Sequence, residues 1–321
     1  MENKQPLLSI CIPTYNRSYI LKEVLQQYID NPEFDTDVEL VISDNCSMDD
    51  TESICHQYMA INSQIRYFRN EENVNDLNFV KVLDYARGKY LKLTNDWAYF
   101  DKTNLAFVKE KVRLHENEKK PIFFTNDVIF TRRKAEVIEC GNLDDYVASV
   151  STYVTFNNIF GAWKDHWDSL AEKSRYSSLK LQQVDWTYQI VVKFGGCVLY
   201  DKTVLTETVV KRKVRTGYNW FEVHLDNYYK IMMPYYEREL ITKQTLIEDK
   251  HYLLNHFKPE LCYTYFYNNS RDWRFSTNGT TLLLWKYYHN DLYFYFFMLK
   301  LPLYYSYHMV RGLFRKILKV L

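Results

Sequence analysis

Glycine is the first shortage. There are eight in 321 residues, and none lies in the break that follows the first apolar run. A dinucleotide-binding turn needs G-x-G-x-x-G and a P-loop needs G-x-x-x-x-G-K-[ST], because glycine lets the backbone come close to a phosphate. Neither pattern occurs, and "PTYNRS" stands where a sugar nucleotidyltransferase would carry a G-x-G-x-R loop. The first two classes are therefore excluded, and the third ranks well below the others. Cysteine is also sparse. The six (Cys11, Cys46, Cys55, Cys140, Cys197, Cys262) include no C-x-x-C pair and no framework spacing. Free, mostly buried thiols in a reducing compartment are expected. The amino terminus, MENKQPLLSICIP, has no long apolar h-region, so no signal peptide is expected. No segment offers the ~20 uninterrupted apolar residues of a membrane span. A net charge of +1 argues against a nucleic-acid partner bound through a general basic surface. The last shortage is local: from Tyr293 to Leu321 there are five basic residues (Lys300, Arg311, Arg315, Lys316, Lys319) and no acid.

What is present is a globular balance, 47% apolar and 25% charged, with aromatics at 17%. The first hundred residues alternate strand and helix signals. Leu7–Ile12, Val38–Ile42, Ile65–Phe68 and Tyr90–Leu93 read as strands. Between them, helices carry Ile20, Leu21, Val24 and Leu25, then Ile54, Cys55 and Tyr58, then Leu77, Val80 and Leu83 on their inner faces. Ser18 is expected as an N-cap, Ser47-x-x-Asp50 as a capping box, and Gly88 as the C-cap of a helix over Asp76–Arg87. Such alternation predicts an α/β fold with a mostly parallel sheet flanked by helices. Ligands bind outside the carboxyl ends of the strands in such sheets. Four polar breaks fall there: "PTYNR" (13–17), "SDNCSMDDT" (43–51), "RNEENVND" (69–76) and "TNDW" (94–97). They should converge on one crevice.

The segments "SICIPTYNR", "ELVISDNCSMDDT" and "ARGKYLKLTND", in this order on consecutive strand ends, resemble the start of family 2 glycosyltransferases with the Rossmann-like GT-A fold. The resemblance implies an enzyme that moves a sugar, with inversion, from a nucleotide donor (most often UDP-linked) to a saccharide or lipid-linked saccharide in bacterial capsule, O-antigen or exopolysaccharide synthesis. It further implies that Pro13, Thr14 and Tyr15 line the nucleoside pocket and that Arg17 lies near the phosphates. Asp44 would accept from the base, Asn45 would support the loop, and Asp76 would lie near the donor, with helix capping as its competing use. Asp96 takes the metal-motif position, with one acid where two or three are usual and Asn95 as an amide neighbour. Mn²⁺ or Mg²⁺ can be held by one or two carboxylates plus substrate phosphates. His224 is a further metal-ligand candidate, and Arg215, in the basic run 211–215, a further donor contact.

The general base implied by the resemblance is Asp185 in "LQQVDWTYQIV". Trp186 offers a face for stacking beneath a sugar, and Trp163 and Asp165 are assigned to the acceptor; core packing is the competing use of such tryptophans. The organisation expected is a nucleotide-sugar half (1–100), an acceptor and catalytic half (101–247) and a helical, amphipathic, membrane-associating region (248–321). The aromatic–basic stretch "LYFYFFMLKLPLYYSYHMVRGLFRKILKVL" motivates the last, on the cytoplasmic face of the inner membrane, with packing on the protein's own core or a homodimer contact as the alternative. A non-catalytic scaffold of a polysaccharide assembly complex is the competing function.

Overall fold

The computed structural model describes residues 5–125, 135–210, 217–267 and 275–317, with side chains up to Tyr307. Its elements, in chain order, begin β1 (Leu8–Thr14), α1 (Ser18–Ile29), β2 (Val38–Asp44), α2 (Thr51–Ile61), β3 (Ile65–Arg69), α3 (Leu77–Asp84) and β4 (Tyr90–Leu93). There follow β5 (Ala98–Tyr99), α4 (Lys102–His115), β6 (Ile122–Phe124), β7 (Val137–Cys140), α5 (Leu143–Val150), β8 (Gly161–Trp163), α6 (Lys164–Asp168), α7 (Gln182–Lys193), β9 (Cys197–Tyr200) and β10 (Thr206–Glu207). A π-helical stretch, Glu222–Asn227, leads into α8 (Tyr228–Glu237), α9 (Lys243–Tyr267), α10 (Thr280–Tyr288) and α11 (Leu292–Ile317).

The main sheet has the order β3-β2-β1-β4-β8. Strands β1 to β4 run parallel, with Leu8 opposite both Val38 and Tyr90. Every residue of β1 and β2 is buried, as strands covered on both faces must be, and this is why they read as apolar runs. Their alternate side chains serve two cores. Leu8, Ile10 and Ile12 pack with Leu21, Val24 and Leu25 of α1. Cys11 packs with Val82 and Leu83 of α3, in a cluster that runs on through α7, α8 and α9 to Leu301 of α11. The helices of 248–317 thus share the apolar core of the sheet. Strands β6, β9 and β7 form a second, three-stranded sheet, and β10 pairs with β5.

Strand β8 is antiparallel to β4, with Trp163 opposite Tyr90 and Gly161 opposite Lys92. The crevice edge of the sheet therefore lies at Leu93 and beyond, and Trp163 sits at the other end. Several local signals resolve differently from the expectation. The helix after β3 is shorter than Asp76–Arg87. Gly88 lies four residues past its end and donates its N–H to Ser9 Oγ at 2.7 Å. Ser47 caps no helix: its Oγ accepts from Asn16 N at 2.8 Å. Asp49 does that work for two helices, accepting from Ser18 N at 2.9 Å and from Thr51 N at 3.1 Å. Ser18 is the first helical residue, not the cap.

Candidate functional site

The loops after β1 and β2 are zipped together before any ligand is considered. Asn16 takes a left-handed backbone (φ 51°) and its Oδ1 accepts from Met48 N at 2.7 Å. Asn45 N donates to Thr14 O at 2.9 Å. Pro13 and Thr14 are buried, whereas Tyr15 is exposed over the crevice edge. Asp44, expected to meet a base, is fully buried. Its Oδ1 accepts from Ser47 N (2.9 Å) and its Oδ2 from Tyr67 O–H (2.6 Å), with Arg69 Nε at 3.7 Å. It shapes its own loop, and as arranged both its oxygens are bonded and buried, one of them by Tyr67 reaching it from β3.

Asn45 supports the next loop. Its Oδ1 accepts from Val74 N (2.9 Å) and its Nδ2 donates to Asn73 Oδ1 (2.8 Å). Asn78 bonds Ser43 and Asn70 in the same amide network and so faces the core. Asp76 is linked to the start of α7: its carbonyl accepts from Gln182 Nε2 at 2.7 Å, and its carboxylate lies 3.4 Å from Lys180 Nζ. Burial raises the Asp76 carboxyl above its usual range, against the pull of Lys180.

At the end of β4, Asp96 is 2% exposed, with Oδ1 accepting from Arg17 Nη1 at 2.7 Å and Oδ2 from Thr14 Oγ1 at 2.9 Å. The Arg17 side chain, at the crevice edge of the sheet, is one third exposed (33%). The turn that carries Asp96 is pinned from the core side. Asn95 N donates to Asn158 Oδ1 at 2.9 Å. Lys92, fully buried, reaches the carbonyls of Asn158, Phe160 (3.2 Å) and Leu93 (3.2 Å). Burial, with no carboxylate partner among the described residues, brings its ammonium down to about 7.

These residues do not fit a resident divalent ion as they are arranged. One carboxylate is present, both its oxygens are taken by protein donors, and hard cations need several oxygen ligands. Among the described residues no group of three His, Cys, Asp or Glu side chains comes together. His224 lies on the π-helical stretch, its ring 4.9 Å from that of Trp220; burial, with His256 nearby, lowers it to about 4. It belongs to an aromatic cluster under α9. Arg215 lies outside the described residues.

Asp185, in the first turn of α7, is 1% exposed. Arg175 bonds it through Nε (3.0 Å) and Nη2, Tyr235 O–H donates at 2.6 Å, and Gln189 Nε2 donates at 2.7 Å. A carboxylate has about four lone-pair sites, and four donors occupy them. As arranged, Asp185 cannot accept a proton until one partner leaves, and Arg175, 38% exposed, is the partner with room to move. The carboxylate in turn raises the Arg175 guanidinium above its ordinary value.

The acceptor assignments do not survive. Trp163 is fully buried, donates to Lys120 O at 2.9 Å and packs edge-on against Tyr90. Trp186 is buried between Trp167 and Phe160 and donates to Lys173 O at 2.7 Å. Asp165 follows Trp163 at the edge opposite the crevice and pairs with Lys119 at 2.7 Å. For Trp163 and Asp165 the reason is the antiparallel direction of β8; for Trp186 it is the aromatic core that α7 packs into. Sequence reasoning missed Arg175, Tyr235, Lys92, Asn158 and Tyr67. Only Gln189, one helical turn after Asp185, was available from spacing.

Residues 9–105 match the family model Glycosyl transferase family 2. The chain is 41% identical over 86 residues to the abequosyltransferase RfbV of Salmonella typhimurium, covering 26% of this chain and 26% of that protein. It is 33% identical over 93 residues to a GalNAc(5)-diNAcBac-PP-undecaprenol beta-1,3-glucosyltransferase of Campylobacter jejuni, covering 28% of this chain and 29% of that one. The matched stretch thus spans little more than a quarter of either relative. Among solved structures, the 1–349 fragment of S. aureus TarS in complex with UDP-GlcNAc aligns with a TM-score of 0.52 at 17% identity, over 78% of this chain and 72% of that one. At that identity the likeness speaks for the fold.

Proposed function

We propose that this chain, whose residues 9–105 match the Glycosyl transferase family 2 model, moves a sugar from a nucleotide donor to a saccharide or lipid-linked saccharide acceptor of a bacterial surface polysaccharide. The observation that carries the reading is the convergence of four loops on the carboxyl edge of β1–β4, with Arg17 held there by Asp96, whose other oxygen accepts from Thr14. Tyr15 and the buried Pro13–Thr14 pair form the wall for the nucleoside. The open edge of Arg17 meets the diphosphate and stabilises its charge as the sugar leaves. The acceptor named for the Campylobacter jejuni relative motivates a lipid-diphosphate acceptor, and the UDP-GlcNAc bound to the TarS fragment motivates a UDP-sugar donor.

Transfer with inversion needs a base that takes the acceptor hydroxyl's proton as its oxygen attacks the anomeric carbon. Asp185 is the proposed base, with Arg175 releasing one oxygen when the acceptor arrives. Helices α10 and α11 rest the protein on the inner membrane face as a peripheral protein; no helix among the described residues is long and apolar enough to cross a membrane.

The occupied carboxylates of Asp96 and Asp185 favour a second reading, a non-catalytic scaffold that binds donor without turnover. A donor-hydrolysis and transfer screen over UDP-, GDP- and CMP-sugars, with Mn²⁺, Mg²⁺ or chelator, separates the two. Turnover that is lost in Asp185→Asn while nucleotide binding persists supports the transferase. Nucleotide binding with no turnover on any donor supports the scaffold.

A further inference from the structure

Helices α9 and α11 lie side by side, and a groove of about 440 Å³ opens between them, lined by Asn255, Lys258, Tyr293, Phe296, Lys300 and Tyr304. Buried Phe297 and Leu301 form its floor. Two of the lining residues are cations, and among the described residues no carboxylate pairs with either. Lys258 Nζ lies 5.1 Å from the Tyr304 ring centre and 5.6 Å from that of Phe297, so aromatic faces hold it in place without neutralising it. Asn255 Nδ2 donates to Tyr293 O–H at 2.6 Å and fixes the rim.

Outside the groove the surface is apolar. Leu292, Phe296, Leu299 and Leu303 of α11 recur at spacings of four, three and four and are exposed by 62–76%, one unbroken helical face. Leu282 and Trp285 of α10 and Tyr263, Phe266 and Tyr267 of α9 are also exposed. Of 22 exposed large apolar side chains among the described residues, twelve lie between Tyr263 and Tyr307. A contiguous patch of this kind marks a surface that something covers. The charge pattern says what. The segment Tyr293–Leu321 holds five basic residues and no acid. A two-fold copy would bring that acid-free strip against itself; an anionic lipid surface complements it.

We propose that this groove binds the phosphate of an anionic membrane lipid between Lys258 and Lys300, with the acyl chains lying along Phe296, Leu299 and Leu303. The proposal rests on the membrane-face reading above and deepens it from a helix lying on a surface to a headgroup site. Aromatic and leucine side chains enter the acyl boundary, and the two ammonium groups sit at phosphate depth.

The test is co-sedimentation of the full chain with phosphatidylcholine vesicles, with or without phosphatidylglycerol. The chain should prefer the anionic vesicles. Lys258→Gln and Lys300→Gln should each weaken that binding roughly fivefold, the worth of one basic side chain near the surface. The pair Lys316→Gln and Lys319→Gln removes two charges from the same tail but leaves the groove; it should cost less than the groove pair. Phe296→Ser with Leu299→Ser should lower binding to both vesicle types. Equal losses from the groove pair and the tail pair would overturn the site in favour of delocalised charge. Equal binding of the wild type to both vesicles would overturn the anionic headgroup but leave the membrane face. No binding to either would overturn both, and a dimer in light scattering that Leu299→Ser and Leu303→Ser dissolve would assign the face to a second copy. Donor hydrolysis by the groove variants stays unchanged in every case, which keeps this result separate from the catalytic reading.

Discussion

Arg17 holds one oxygen of Asp96 and Thr14 the other, so a divalent ion reaches this carboxylate only by displacing a charge-assisted bond. Such bonds contribute roughly 1.5–3 kcal/mol. With the guanidinium already in the crevice, UDP binding to the wild type should be the same in chelator and in Mn²⁺. Arg17→Gln should weaken UDP about tenfold or more in chelator, as one such contact is lost. Calorimetry measures both. A tenfold gain from Mn²⁺ in the wild type would mean instead that Asp96 exchanges Arg17 for metal when the diphosphate arrives. The pairing was not legible in the sequence: Arg17 and Asp96 are 79 positions apart, and no local periodicity links them. Asp44 teaches the same lesson, since Tyr67 comes to it from the neighbouring strand.

Elements were more legible than partners. The strand expected at Tyr90–Leu93 is β4 to the residue, and the other three extend one or two residues toward the crevice beyond their apolar runs. Polar residues such as Thr14 and Asp44 continue a ladder once a neighbouring strand pairs with them, which apolar runs alone do not reveal. The direction of β8 was not legible either, and it carried Trp163 and Asp165 to the wrong end of the sheet. Gly88 was marked for a helix cap, yet its need is space. A Cβ there would lie 2.7 Å from Ser9 N and 2.9 Å from Leu8 C, both backbone atoms of β1's edge that cannot swing away. Gly88→Ala should therefore cost about 1–3 kcal/mol, as overpacking does, and lower the midpoint of thermal unfolding in scanning calorimetry. An unchanged midpoint would show that the 85–89 connection shifts without loss.

At the scale of the molecule, Asp249 of α9 ties together Ser151, after α5, and Tyr228 and Tyr229 of α8. They donate at 2.6, 3.1 and 3.0 Å. Burial raises its carboxyl to about 6 even against these three hydroxyls. The folded chain therefore holds this proton more tightly than the unfolded chain, whose aspartates titrate at about 3.9. The stability it contributes is present below pH about 4, falls as pH rises toward about 6, and is level above that. Asp249→Asn should remove this slope, so that unfolding midpoints of the two proteins diverge across that window and run parallel outside it. Parallel curves throughout would mean that Asp249 titrates as an exposed carboxylate does.

The sequence by itself determined the α/β class, the four strand ends that share one edge, the absence of a glycine phosphate cradle, and the acid-free aromatic tail. Each of these depends on local composition and spacing. Only the tertiary structure decided which carboxylates are free. Asp44, Asp96 and Asp185 look alike in the chain, and donors distant in sequence for two of them, from a turn ten residues away and from α8 for the third, occupy their oxygens. A carboxylate's availability is set by the donors around it, and folding, not spacing, brings those donors there.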